Sequence, residues 1–417
     1  MSKRSPSLKN TRNQSDSTSK FLFILGFLSP LNLQFLGKIY LIEFFFLAVV
    51  LNNFFTKRHL RIPTSNQVKT FLLLGTISAF MGSVGTLVNG LPLTSLIKGI
   101  SLIVFLMVNC YAVLILCKYQ VHLIVMLYTG IATSSIVKYF IAPDEYTQIS
   151  PWKFCFASAI SIYAILNFPN RIPKIYFNSL LFILSAINFF LSFRTEGAVL
   201  LCTVLLFIYG ERFKVGKESY IKLAISAFLL TLFLGSIYNY ASNAGLLGSN
   251  LQKKSVIQST GKYGILLGGR NEVAFSLPAV REKPLLGWGF YAPPSENIID
   301  NGLQFLYENR VNTIYQKKSI LEINQIPTHS FLMQFMVFGG VLAGMLWIFV
   351  VKILSQATLV AISSRTRENI DYLVVYISLL TISAILFSPF GAFERVNVGI
   401  LIAFLSIYMA KRKVLEV

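Results

Sequence analysis

Apolar runs long enough to cross a bilayer recur along this chain, and that recurrence constrains its fold more than any other feature. A span needs about 20 apolar helical residues, fewer where it is short or kinked. About twelve stretches qualify: 21–36, 39–55, 70–89, 93–116, 121–141, 154–168, 175–193, 195–210, 219–241, 328–354, 370–388 and 396–410. Within lipid the backbone must satisfy its own hydrogen bonds, which limits such runs to helices. Pro30, Asn32 and Gln34 break the first pair and predict a tight outer hairpin there. Charge is correspondingly scarce. Asp, Glu, Lys and Arg make up 13% of the 417 residues, against about 25% in a soluble domain, and mean hydropathy is +0.64. These values exclude an ordinary cytosolic enzyme, a disordered chain and a fibrous one. The expected fold class is an all-α polytopic membrane protein of about twelve transmembrane helices.

The net charge of +20, from 37 Lys and Arg against 17 Asp and Glu, does not indicate nucleic acid. The charges sit in short clusters between apolar runs, as topology signals do. With residues 1–20 in the cytoplasm, alternate loops should be basic. They hold Lys57, Arg58, Arg61 and Lys69; Lys118; Arg171 and Lys174; Arg212, Lys214, Lys217 and Lys222; Arg365 and Arg367; and Lys411, Arg412 and Lys413. The intervening short loops carry little charge. This pattern predicts transmembrane helices 1–9 over 21–241, helices 10–12 over 328–410, and cytoplasmic tails at 1–20 and 411–417. No cleavage site follows the first run, which reads as a retained span.

Residues 242–327 differ from every other connection. They are too polar to span and too long for a turn, and on this topology they form one large outer loop between helices 9 and 10. Alternating apolar positions, Gly-Gly turns and two aromatic clusters predict that the loop is ordered. No internal repeat is visible, which weighs against a transporter built from two related halves. Cys110, Cys117, Cys155 and Cys202 lie inside apolar runs without metal-ligand spacing, so neither a disulfide framework nor a metal site is expected.

Few residues are equipped for chemistry. His59 and His122 read as solvated or interfacial. His329, in Ile326-Pro327-Thr328-His329-Ser330, stands where the loop enters the tenth span. It could act as a general base near neutral pH, or simply cap the helix after Pro327. Arg194 lies at the outer membrane boundary, where arginine is costly and is either paired or functional. Glu196 is a local partner for it; the alternative is a fixed, forked cation for a phosphate. Arg270 and Arg281 bracket a segment whose Val273, Ala274, Leu277 and Val280 predict a short amphipathic helix lying on the membrane, shortened or kinked at Pro278. Trp288, Tyr291 and the Asn- and Tyr-rich stretch to Gln325 suit contact with sugar rings, or else anchor a solvated loop. Glu43 and Lys98 fall within predicted spans, and Glu394-Arg395 reads as a surface pair at the rim of the site.

Several of these motifs together carry a resemblance. Gly269-Arg270, then Glu282-Lys283-Pro284-Leu285-Leu286-Gly287-Trp288-Gly289, then Pro327-Thr328-His329-Ser330-Phe331-Leu332, then Phe338-Gly339-Gly340-Val341-Leu342-Ala343-Gly344, resemble in order and spacing the O-antigen ligase and O-antigen polymerase family. Ser192-Phe193-Arg194-Thr195 is similar to the family's Ser-Arg motif with one inserted residue, and Ser330 stands where the family usually has Asn. Clear motifs cover about 75 residues; the span layout extends a weaker likeness over the rest.

The resemblance implies a GT-C-like glycosyltransferase of the bacterial inner membrane. The family moves a glycan from an undecaprenyl diphosphate carrier to a sugar hydroxyl on the periplasmic face, without metal or other cofactor and with inversion. It implies Arg194 and Arg270 as diphosphate ligands and His329 as the base that deprotonates the acceptor, all three catalytic. Arg281, Glu196, Trp288 and Tyr291 are expected substrate contacts. The preferred expectation is a polymerase of lipid-linked repeat units of a surface polysaccharide, such as an O-antigen, capsule or exopolysaccharide. The alternatives are a ligase transferring the glycan to a lipid A core, and a flippase for lipid-linked sugars. The implied partners are the lipid-linked glycan donor, the glycan acceptor, membrane lipid and a chain-length regulator; nucleic acid is not among them.

Overall fold

A computed structural model describes residues 8–34, 37–56, 65–118, 120–141, 143–168, 172–191, 193–212, 236, 240–246, 252, 271–311, 325–364 and 368–415. Arg270, most of the expected span 219–241 and much of the large loop lie outside the described residues. The rest is an α-helical bundle with one small hairpin. Helix α1 is Leu8–Phe27, and strands β1 (Asn32–Gln34) and β2 (Lys38–Tyr40) pair antiparallel with Leu33 opposite Ile39. The hairpin forms where Pro30 and the polar residues after it interrupt the apolar run, as the sequence suggests. Then follow α2 (Leu41–Phe55), α3 (Asn66–Val88), α4 (Leu93–Cys117), α5 (Val121–Ile141), the short α6 (Glu145–Ile149) and α7 (Ala157–Asn167), preceded by a π-helical turn at Trp152–Phe156. Next come α8 (Lys174–Phe190) and α9 (Arg194–Arg212). Helices α10 (Val273–Glu282) and α11 (Glu296–Glu308) belong to the large connection. Helices α12 (Phe331–Ser363), α13 (Asn369–Phe387) and α14 (Ala392–Leu415) close the chain.

Among the described residues, six helices are long and apolar enough to cross a membrane: α3, α4, α5, α12, α13 and the 392–412 part of α14. Shorter apolar helices cover Leu41–Phe55, Trp152–Asn167 and Lys174–Phe190. A multi-pass membrane protein is the class this architecture defines. Its outward face agrees, for Leu73, Phe80 and Leu87 form an exposed apolar stripe at seven-residue spacing on α3. Such a stripe would be a liability in water but suits acyl chains.

The opposite face of α3 shows how the bundle closes. Gly75, Ser78, Gly82 and Gly85 recur every three or four residues and are buried. Small residues at this spacing let helices approach closely in the absence of a hydrophobic drive between them. Ser78 Oγ donates to the Ala343 carbonyl of α12 at 3.0 Å. Opposite that contact α12 breaks, because Gly339 (φ −142°, ψ 27°) and Gly340 (φ 70°, ψ −169°) leave helical geometry. The core continues through Phe331, Phe335, Trp347 and Phe390, whose rings meet edge-to-face or tilted with centroids 4.8–5.6 Å apart.

The helices alternate in direction, so the bundle has two chemically different ends. At one, here the lower end, Arg412 Nη2 donates to both Asp371 oxygens at 2.6 and 2.7 Å, and the Tyr408 hydroxyl adds a third bond at 2.5 Å. Ser65 meets Ser406 there at 2.8 Å. The upper end carries the hairpin, the 89–92 turn, the described residues 271–311 and 325–330, and the 388–391 turn.

Candidate functional site

At the upper end, α10 and α11 pack as a pair over a satellite core of Ala274, Phe275, Ala279, Ile298, Ile299 and Leu306, shared with Val337 of α12. Gly302 makes this fit, because a Cβ there would lie 2.3 Å from the Phe275 ring. The expected amphipathic helix is therefore present, but its orientation differs from the expectation. Ala274, Phe275, Ser276 and Ala279 turn inward onto protein, and Leu277, half exposed, is left on the outer side. Of the expected apolar positions, Ala274 is buried and Val280 packs partly buried against this core, while Phe275 widens the inward face and Leu277 is left outside.

The segment after α10 explains the glycine motif. Trp288 N–H donates to Val337 O at 2.7 Å, Gly289 N–H to Phe338 O at 3.0 Å, and Val341 N–H to Pro284 O at 2.8 Å. The loop thus binds the backbone that the break at Gly339-Gly340 exposes in α12. Gly287 (φ +66°) and Gly289 (φ +91°) have no room for a side chain, since a Cβ would lie 2.6 Å from Val337 O and from Thr86 Cα respectively. Thr86 Oγ1 accepts from Phe290 N–H at 2.9 Å, and Asn89 Nδ2 donates to Trp288 O at 3.1 Å. The motif locks the large connection to α3 and α12.

That lock delivers Tyr291 to the wall of a cavity of about 610 Å³. Lys38 and Ile39 of β2, Lys98 and Ser101 of α4, Gln325, and Gly391 and Arg395 beside and within α14 also line it. Tyr291 packs on Phe338 with ring centroids 5.4 Å apart, and burial pushes its hydroxyl pKa upward, with nearby Arg395 opposing in part. Arg395 is itself buried. Its Nε and Nη2 donate to the two Glu43 oxygens, each at 2.6 Å, and Nη2 also donates to Lys38 O at 2.9 Å. Glu43 accepts further from Tyr40 N–H at 2.9 Å and Asn109 Nδ2 at 3.3 Å. Glu394-Arg395 is accordingly not a surface pair. Arg395 belongs to Glu43, and Glu394 Oε2 accepts from Gly391 N–H at 3.1 Å. Glu43 within a predicted span signalled the need for a partner, but Arg395 stands just outside a predicted span, 352 positions away, and the sequence did not point to it.

The residues singled out in the sequence fall into separate places. His329 lies just before α12, partly exposed, with Nδ1 3.8 Å from Glu272 Oε1. Ser330 caps α12 by accepting from Met333 N–H at 3.3 Å and donates to Ile385 O at 2.8 Å, which fixes the position of His329. Arg194 begins α9 and is half buried. Glu196, two residues on, is fully buried; it accepts from the Tyr376 hydroxyl and from Ser158 Oγ, the latter at 3.1 Å. Arg281 is exposed and lines a different groove, of about 800 Å³, with Asn297, Asn301, Gln304 and Glu308. Trp288 donates through Nε1 to Ala279 O at 2.9 Å, and Lys283 Nζ sits 3.9 Å from its ring centre. Of the expected contacts, Tyr291 lines the cation-bearing cavity, and Gln325, four residues before His329, joins it there.

All four cysteines are free thiols. A comparison of the chain with known protein families and with curated proteins finds no match. The architecture defines a multi-pass α-helical membrane protein, and its activity is argued from the site.

Proposed function

We propose that this protein is an inner-membrane glycosyltransferase that polymerises undecaprenyl diphosphate-linked oligosaccharide repeat units on the periplasmic face. The upper end is then the periplasmic one, both termini lie in the cytoplasm, and the described helices belong to a twelve-span bundle. The observation that carries the reading is the locked connection, which sets Tyr291 beside Gln325 in a cavity with Lys38, Lys98 and Arg395. The sequence resemblance supports it further.

In the reaction, the acceptor hydroxyl oxygen attacks the anomeric carbon from the face opposite the carrier. The bond from that carbon to the diphosphate oxygen breaks, and the electron pair leaves with the lipid diphosphate. His329 takes the hydroxyl proton. Arg194 and Arg270 hold the diphosphate, whose charge grows as the bond breaks; fixed guanidinium groups stabilise that charge without reorganising. Arg281, Trp288 and Tyr291 are assigned to the glycan. Glu196 is assigned a role behind Arg194, since its carboxylate is enclosed by Tyr376 and Ser158.

The test supplies purified protein in proteoliposomes with a lipid-linked repeat unit. Lengthened lipid-linked glycan is the expected product. Glycan transferred only to an added lipid A core would make the protein a ligase, and flux across the bilayer without covalent product would make it a flippase; either outcome replaces the polymerase reading.

A further inference from the structure

The proposed reaction leaves a cavity at the lower end unused. It has a volume of about 330 Å³ and is walled by α5, α7, α13 and α14. Helix α5 begins at Val121, α7 ends at Asn167, α13 begins at Asn369, and Tyr408–Arg412 fall in the last turns of α14. The ends of four helices therefore meet there, which in a bilayer is the boundary between acyl chains and headgroups. The cavity has the same two-part character. Val121 and Val125 of α5, Leu166 of α7 and Ile370 of α13 give an apolar wall, which Met126, 36% exposed, continues onto the outer surface of α5. Asn369 Nδ2 donates to Leu166 O at 2.7 Å and closes the wall between α13 and α7. The rim carries His122, Glu368, Lys411 and Arg412.

The permanent charges around this rim balance. Lys411 is exposed, and among the described residues no carboxylate lies within 4 Å of its ammonium. Arg412 is held by Asp371, and the Glu368 carboxylate, 53% exposed, stands 3.6 Å from Arg412 Nη2, too far for a hydrogen bond. Two cations thus face two carboxylates. A headgroup of net negative charge would gain from Lys411 but be repelled by Glu368, whereas a headgroup carrying both signs meets a partner for each. Phosphate beside Lys411 and a primary ammonium beside Glu368 form charge-assisted hydrogen bonds. A quaternary nitrogen has no N–H to donate. We infer that this cavity binds the headgroup of phosphatidylethanolamine from the adjacent leaflet, with the acyl chains lying along Val125 and Met126. The bound lipid bridges α5 and α7 to α13 and α14 at the end away from the Tyr291 cavity. This site goes beyond the glycosyltransferase reading and does not depend on it.

The experiment titrates the full-length protein in detergent with phosphatidylethanolamine, phosphatidylglycerol or phosphatidylcholine of matched chains and reads bound lipid by native mass spectrometry. The wild type is expected to retain one phosphatidylethanolamine more tightly than either other lipid. Lys411→Gln removes the partner of the phosphate and should weaken that lipid about tenfold or more, the usual effect of one hydrogen bond to a charged group. Its melting temperature in lipid-free detergent should not change, because the side chain is exposed. Glu368→Gln should abolish the preference for phosphatidylethanolamine over phosphatidylglycerol. Lys118→Gln, an exposed cation that does not line the cavity, should alter neither. A wild type that binds phosphatidylglycerol or phosphatidylcholine at least as tightly overturns the headgroup assignment, as does a Glu368→Gln protein that keeps the preference. Wild-type affinity in Lys411→Gln puts the lipid elsewhere and overturns the site.

Discussion

The costliest contact between single residues is the one between Glu43 and Arg395, two charges removed almost wholly from solvent. Taking both from water is offset only because the fork is bidentate and both oxygens of Glu43 gain further donors. Arg395→Met should therefore cost about 3–5 kcal/mol by stranding Glu43, read as a fall in melting temperature in detergent. E43L/R395M should recover most of that loss, and a double variant no more stable than R395M would show that the pair is not coupled. Asp144 presents the opposite case. The hydrogen bond from Lys138, at 2.5 Å, holds its carboxyl below the usual carboxylate range, with Thr147 helping and slight burial opposing. A lowered folded-state pKa means stability that is present above the unfolded value and lost as pH falls through the folded one. Both groups are more than a third exposed, so solvent screening keeps the effect within about 1 kcal/mol. Asp144→Asn should lower the melting temperature at neutrality by no more than that small amount and converge on the wild type as pH falls below about 4, which flattens the dependence on pH there. Residue identities made Glu43, Lys98 and His329 visible in the sequence as polar groups in costly places. The partner of Glu43 was not visible, because 352 positions separate the two side chains and only the packing of α2, α4 and α14 brings them together.

At the scale of elements, the break in α12 and the Pro284–Gly289 loop form one device. Gly340 sits at φ +70°, and a Cβ there would lie 2.2 Å from the Leu285 carbonyl oxygen. Gly340→Ala therefore meets about 1–2 kcal/mol of backbone strain and a clash with main chain that cannot rotate away. We expect lower thermal stability and slower transfer, because Tyr291 and Gln325 depend on that loop for their places in the cavity. Normal transfer in a destabilised Gly340→Ala protein would show that the loop does not position the site. The sequence showed the glycines and their spacing, and helical periodicity predicted the helix at 273–282. That Ala274 and Val280 of that helix turn onto α11 and Val337 was not legible, since the surface that receives them comes from elsewhere in the chain.

For the whole molecule, the alternation of helices separates an end with the ion pair of Asp371 and Arg412 from an end with the cavities and the large connection. The proposed orientation can be read directly. Asn301→Cys, exposed on α11, should react in intact cells with a membrane-impermeant maleimide that reaches only the periplasm, whereas Lys118→Cys should react only after the inner membrane is opened. The reverse pattern would put the cavity in the cytoplasm and end the glycan reading. Hydropathy made the helical class and the polar connection legible, because lipid leaves few alternatives for an apolar run. It could not show how the connection docks, which depends on backbone contacts with no sequence period.

The central claim is that His329 activates an acceptor at a site that grips a lipid diphosphate, and the rate of glycan lengthening in proteoliposomes at saturating lipid-linked substrate tests it most directly. Wild-type protein should build longer lipid-linked chains, and His329→Ala should slow this by roughly 10²–10⁴-fold, the usual worth of a general base, while binding donor lipid as before. Lengthening at the wild-type rate in His329→Ala would contradict the account.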